Sequence, residues 1–119
     1  MRSRTVEQEL ARIGGGAHGV VGRGELLGTG VTAAEIEQRL RIGALLRVYP
    51  GVYRVGHGAP SLEARYLAAV GACGEGALLC GLAAGYLFGA LKGLAPPPEV
   101  VAPTERRVKG VRTRRSRRM

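Results

Sequence analysis

Apolar residues recur at Val6, Leu10 and Ile13, an i, i+4, i+7 spacing that puts them on one face of a short helix. Thr5 to Gln8 opens that helix with capping-box spacing, in which the threonine hydroxyl takes an orphan amide and the glutamine reaches back to the cap. Gly14-Gly15-Gly16 ends it. The run "VVGRGELLG" at 20–28 suits a second short helix around Arg23 to Leu27, and "GTG" at 28–30 gives a turn. A further capping box, Thr32 to Glu35, starts a third helix running to about Ile42, with Gly43 as its C-terminal cap. Ala33, Ile36 and Leu40 point inward, while Ala34, Glu37, Gln38 and Arg41 make the opposite face. "LRVYPGVYRVG" at 46–56 then reads as a β-hairpin about Pro50-Gly51, with glycine at positive φ as a type II turn requires. Helix, helix, turn, helix, hairpin is the order of a winged helix-turn-helix.

Beyond Gly56 the pattern changes. Ser61 can cap a helix from Leu62 to Cys73 that is apolar almost all round, as in a buried helix. "ALLCGLAAGYLFGAL" at 77–91 carries no charge, and Gly81, Gly85 and Gly89 fall at i, i+4, i+8. Such a smooth stripe lets another backbone approach closely and makes these glycines a candidate partner interface. The uncharged run from Gly76 to Leu91 is sixteen residues, short of the ~20 a bilayer needs, so a helix packed through its glycines is expected rather than a membrane segment. Pro96-Pro97-Pro98 breaks the chain, "EVVAP" suits a strand, and "KGVRTRRS" its partner in a short hairpin. The expected fold is therefore α+β but mainly helical: a winged helix-turn-helix over 1–57, a small helical block with a strand over 58–105, and a basic, disordered tail over 106–119.

Charge sharpens this division. The net charge is +9, yet residues 106–119 hold eight basic side chains and no acidic one, leaving ten basic and nine acidic in residues 1–105. The body is nearly neutral, so the electrostatic case for a polyanionic partner rests on the tail. Every acid is glutamate; there is no aspartate and no asparagine. Magnesium sites and catalytic triads draw heavily on those two residues, so neither an enzyme nor a cofactor is expected. Cys73 and Cys80 lack C-x-x-C spacing and a nearby histidine pair, which makes them small hydrophobes of a reducing cytoplasm rather than a disulfide or metal site. The charged N-terminus carries no signal-peptide pattern.

Residues 18–57, "HGVVGRGELLGTGVTAAEIEQRLRIGALLRVYPGVYRVGH", resemble the N-terminal winged helix of AbiEi-type antitoxins of type IV toxin–antitoxin systems. "PGVY" at 50–53 is similar to that family's wing, and "LEARYLAAVGACGEGALLCGLAAGYLFGAL" to its following helical block. The likeness covers roughly residues 15–103. It implies a DNA-binding regulator that represses its own operon, with the third helix in the major groove and the later segment contacting a toxin or another domain. Three departures stand out. Glu35 and Glu37 occupy the third helix where relatives tend to carry arginines; Cys80, Gly81 and Leu82 replace polar residues; and the chain stops about where a Vsr-like nuclease domain begins in many relatives, so nuclease activity does not carry over and either a natural short form or a truncated gene product is expected.

On the third helix, Gln38 and Arg41 are candidates for bidentate hydrogen bonds to adenine and guanine edges, with Thr32 and Ala34 on the same surface. Arg23, Arg39, Arg47 and Arg54 are candidates for phosphate contact, as are Arg112, Arg114 and Arg115 in the tail. Against this stands a solvated helix face with ordinary surface arginines. The expected partners are double-stranded DNA, a toxin or other protein, and a second copy of the chain, with no membrane. The alternatives are a protein-interaction module built on the glycine stripe and a basic RNA- or ribosome-associated protein.

Overall fold

In the computed structural model, which describes residues 4–56, 61–89 and 93–116, the capping boxes close as their spacing requires. Thr5 Oγ1 accepts from the Gln8 amide at 3.2 Å and Gln8 Oε1 from the Thr5 amide at 2.9 Å, opening α1 (Val6–Gly15). Thr32 and Glu35 exchange the same pair of bonds at 3.1 and 2.9 Å and open α3 (Ala33–Ile42), which Gly43 ends. Between them lie β1 (Val20–Gly22) and α2 (Arg23–Gly28). After α3 come β2 (Leu45–Tyr49) and β3 (Val52–Val55).

The chain divides into two units, residues 1–59 and 60–119. In the first, the three strands form an antiparallel sheet in the order β1-β3-β2. Val6, Leu10, Val21, Leu26, Val31, Ile36, Leu45 and Tyr53 bury together, and Ile13, Leu40 and Val55 pack against them. These side chains come from all three helices and all three strands, so removing one element would expose the others' apolar faces. Ala33 differs from expectation: it lies exposed on the first turn of α3, leaving Ile36 and Leu40 as the inward pair. Gly51 has φ +76°, the left-handed value that a type II turn demands of its third residue. The register shifts between Arg47 and Tyr49; such a bulge raises local twist where an unprimed turn would otherwise splay the strands.

The second unit holds α4 (Leu62–Ala72), β4 (Leu78–Leu79), α5 (Gly81–Leu87), β5 (Glu99–Ala102) and β6 (Arg112–Arg115). Its sheet has the order β4-β5-β6, with β4 antiparallel and β6 parallel to β5. Ser61 caps α4 through the Ala64 amide at 3.0 Å, and Tyr66 donates to the Pro96 carbonyl at 2.8 Å.

Five expectations are corrected here. The fold is not mainly helical: of the described residues about 42% are helix and 21% strand, and each unit is organised on a three-stranded sheet. The small helical block gives way to two helices flanking a sheet, because the uncharged run breaks into β4 and a seven-residue α5. The C-terminal hairpin is replaced by a parallel pair, since residues 103–111 carry the chain back before β6 begins. Residues 112–115 of the expected disordered tail are that strand, tied to β5 at both ends by Arg112 N to Pro98 O, 2.8 Å, and Ser116 N to Ala102 O, 2.9 Å. Helix α4 is also one-sided rather than buried all round: Ala64, Tyr66, Ala68 and Ala69 are covered while Glu63, Arg65 and Leu67 face solvent. The expected boundary at 57/58, the end of the uncharged run at 90–91 and the tail's last three residues lie outside the described residues.

Candidate nucleic-acid interface

Helix α3 projects its charged side chains in two directions. Ile36 is fully buried and Leu40 packs beside it, which turns Ala34, Glu37, Gln38 and Arg41 outward, all exposed. Arg39, between the two faces, does not project. Its Nη2 donates to Glu7 Oε1 of α1 at 2.7 Å and its Nη1 to Gln38 Oε1 at 2.8 Å, and its side chain is only 15% accessible. The hydrogen bond from Arg39 holds the Glu7 carboxyl below its ordinary range. Arg39 is thus a brace between α3 and α1, not a free cation for phosphate, and it orients the Gln38 amide so that its NH₂ remains to donate.

The hairpin adds one arginine to that face and turns another away. Arg47 sits opposite Tyr53 in the β2–β3 register, and Leu46 opposite Arg54. Directly opposed residues share a sheet face, so Arg47 lies on the side of the buried Tyr53 ring and Arg54 on the reverse. Arg47 and Arg41 border one cleft of about 350 Å³ with Glu37, Leu40, Leu45 and Leu46. Two guanidiniums and one carboxylate there present five-donor forks and an acceptor to a ligand edge.

Arg23 works at the other end of the hairpin. Its amide donates to the Gly51 carbonyl at 2.9 Å and its Nη1 to Tyr53 Oη at 3.3 Å. That hydrogen bond holds its guanidinium above the ordinary value, so it is a cation at every working pH. Thr32, although exposed, has its hydroxyl committed to the cap of α3. Glu35 likewise accepts from the Thr32 amide, and its charge complements the helix dipole.

In the second unit, Arg114 is held by Glu99: Nη2 lies 2.7 Å from Oε2 of a carboxylate that is itself buried. Arg112 and Arg115 are exposed on β6. The glycines do not form a stripe on one helix. Gly81 is the first residue of α5 with φ +63°, Gly85 lies within it, and Gly89 follows its end. A Cβ at Gly81 would overlap the Glu99 carboxylate, so this glycine serves the chain's own packing. Cys73 and Cys80 are free thiols. Burial pushes both upward from the ordinary thiol value, the Glu99 charge adding to it at Cys80, which disfavours the thiolate a nucleophile or metal ligand needs. Among the described residues, no helix is long and apolar enough to cross a membrane, and no group of three histidine, cysteine or acidic side chains is placed to hold a metal ion.

Sequence reasoning missed the Arg39–Glu7 brace and the buried Glu99. The first joins residues 32 apart, which no local spacing reveals. The second stands in an otherwise apolar "EVVA", where a single acid reads as a strand edge. No protein-family model matches the chain, and no curated protein matches it.

Proposed function

We propose that this protein binds double-stranded DNA through α3 and the β2–β3 hairpin and acts in the cytoplasm as an antitoxin-like transcriptional repressor, the role that the AbiEi resemblance implies. The observation that supports it best is the open side of α3. Ala34, Gln38 and Arg41 follow one another at i, i+4, i+7, all exposed, and Arg47 borders the same cleft as Arg41. In a major groove, Gln38 would pair with an adenine edge and Arg41 with a guanine edge, each worth about 1–3 kcal/mol of discrimination. Arg47 would take a flanking phosphate. One such surface reads one half-site, and a second copy supplies the other.

Recovery of genomic DNA fragments by the full chain at two salt concentrations tests this reading. Wild type is expected to enrich a defined sequence at both, and Q38A/R41A to keep bulk binding while losing enrichment. Sequence-independent recovery by wild type refutes it. A protein-interaction role is the second reading, favoured by the exposure of Leu78, Leu82, Phe88 and Leu94 in the second unit. It requires F88S to abolish association with a toxin or with a second copy in sedimentation, without touching DNA enrichment.

A further inference from the structure

We propose that the second unit carries its own phosphate site for the backbone of duplex DNA: a cleft formed where residues 103–111 fold back beside β6. The cleft encloses about 530 Å³ and is bordered by Arg106, Arg107, Lys109, Arg114 and Arg115, against one acid, Glu105. Within it the cations differ in what holds them. Arg114 is fixed by the buried Glu99. The Arg106 guanidinium lies against Gly74, just past the end of α4, where the helix dipole favours a cation. Arg107, Lys109 and Arg115 form no ion pair among the described residues. Three unneutralised cations gathered in one concavity repel one another, and an anion seated there relieves that repulsion.

The lining also identifies the class of anion. Its remaining members are Val108, Val111 and Thr113. No aromatic ring in the lining offers the stacking platform on which single strands and free nucleotides rely, and no amide side chain is present to pair with an adenine edge. Its four arginines and one lysine gather positive charge for phosphate oxygens, the contact that positions a protein on a duplex backbone. This inference rests on the reading that the chain binds DNA, but it separates a folded site from a diffuse cationic brush.

Salt titrations of the full chain on one duplex test it, comparing R107A/R115A with R65E. Each variant lowers the net charge of the second unit by two at exposed positions, but only the first touches the cleft. The slope of log K against log salt should become shallower by about 1.8 for R107A/R115A, at about 0.9 for each phosphate left unneutralised. It should stay at the wild-type value for R65E. Equal changes in the two variants, or none in either, overturn the proposal. Sequence enrichment, read from the same proteins, should survive in both; its absence from wild type overturns the repressor reading while the slope comparison still decides the cleft.

Discussion

Residues 4–56 put Leu26, Ile36, Leu45 and Tyr53 out of water, whereas residues 61–116 bury Tyr66 and Val100 among six alanines, Ala64, Ala68, Ala69, Ala77, Ala83 and Ala102, and leave Phe88 and Leu94 83% and 98% exposed. A buried leucine or isoleucine contributes about 1.5–3 kcal/mol, and an alanine methyl nearer 0.8. The first unit is therefore held by side-chain volume. The second has a smaller apolar core about Tyr66 and Val100, joined by two polar ties, Arg114 to Glu99 and Tyr66 to Pro96. The proposed DNA-reading surface thus rests on the larger apolar core, while the other unit leaves Leu78, Leu82, Phe88 and Leu94 on the outside.

Stability should fall furthest on truncating the first core. Leu26→Ala should cost about 2–5 kcal/mol, measured by urea unfolding. Val100→Ala in the second should cost about 1.6, two methyl equivalents. Equal losses would mean that the two cores carry the same weight. Next comes Gly81→Ala, which combines a positive φ with the overlap on Glu99 and should lower stability by about 2 kcal/mol. Arg114→Ala should cost less, about 1 kcal/mol, because the arginine is 70% exposed. Reversal of that order in thermal melts would place the weight on the ion pair instead. On the DNA side, Arg41→Ala should lose about 1–3 kcal/mol of base discrimination, and Arg54→Ala, on the reverse of the sheet, should leave discrimination unchanged; competition binding against mismatched duplexes decides.

The smallest effect is acid sensitivity of the first unit. Glu9 is buried and accepts from Arg12 at 2.7 Å and Arg4 at 3.4 Å; chiefly through the Arg12 bond its carboxyl is held below the ordinary range. Unfolded, it titrates near about 4.3 and binds more protons than the folded state there. Its stabilisation is thus full above that value and lost as pH falls through the lower folded one. Glu9→Gln should flatten the unfolding free energy between about pH 5 and 3 relative to wild type. An unchanged slope would assign the acid response elsewhere.

Local signals carried most of the first unit. Thr5/Gln8 and Thr32/Glu35 announce two helix starts, Pro50-Gly51 the hairpin, and the spacing of Ile36 and Leu40 the covered side of α3, hence the open one. Strand β1 escaped because three residues hold barely one period of alternation, and Val20-Val21 reads equally well as the approach to a helix. In the second unit the same rules failed. Glycines at i, i+4, i+8 look like a helical stripe, yet Gly81 and Gly89 are there for positive φ at the two ends of α5. Parallel pairing of β5 and β6 depends on how residues 103–111 travel, and "KG" before β6 mimics a hairpin turn. For the site, Arg39 and Arg47 are alike in sequence; only the partner at Glu7 and the register against Tyr53 separate a brace from a free hand.

The link from the Arg23 amide to the Gly51 carbonyl fastens the tip of the hairpin to the first turn of α2. With β1 also laced to β3, the flap cannot swing on its base without breaking bonds at both its root and its apex. A duplex meeting this protein would encounter a jaw already set to its working gape. Little ordering entropy would then be lost on docking, and selectivity would come from fit rather than from closure.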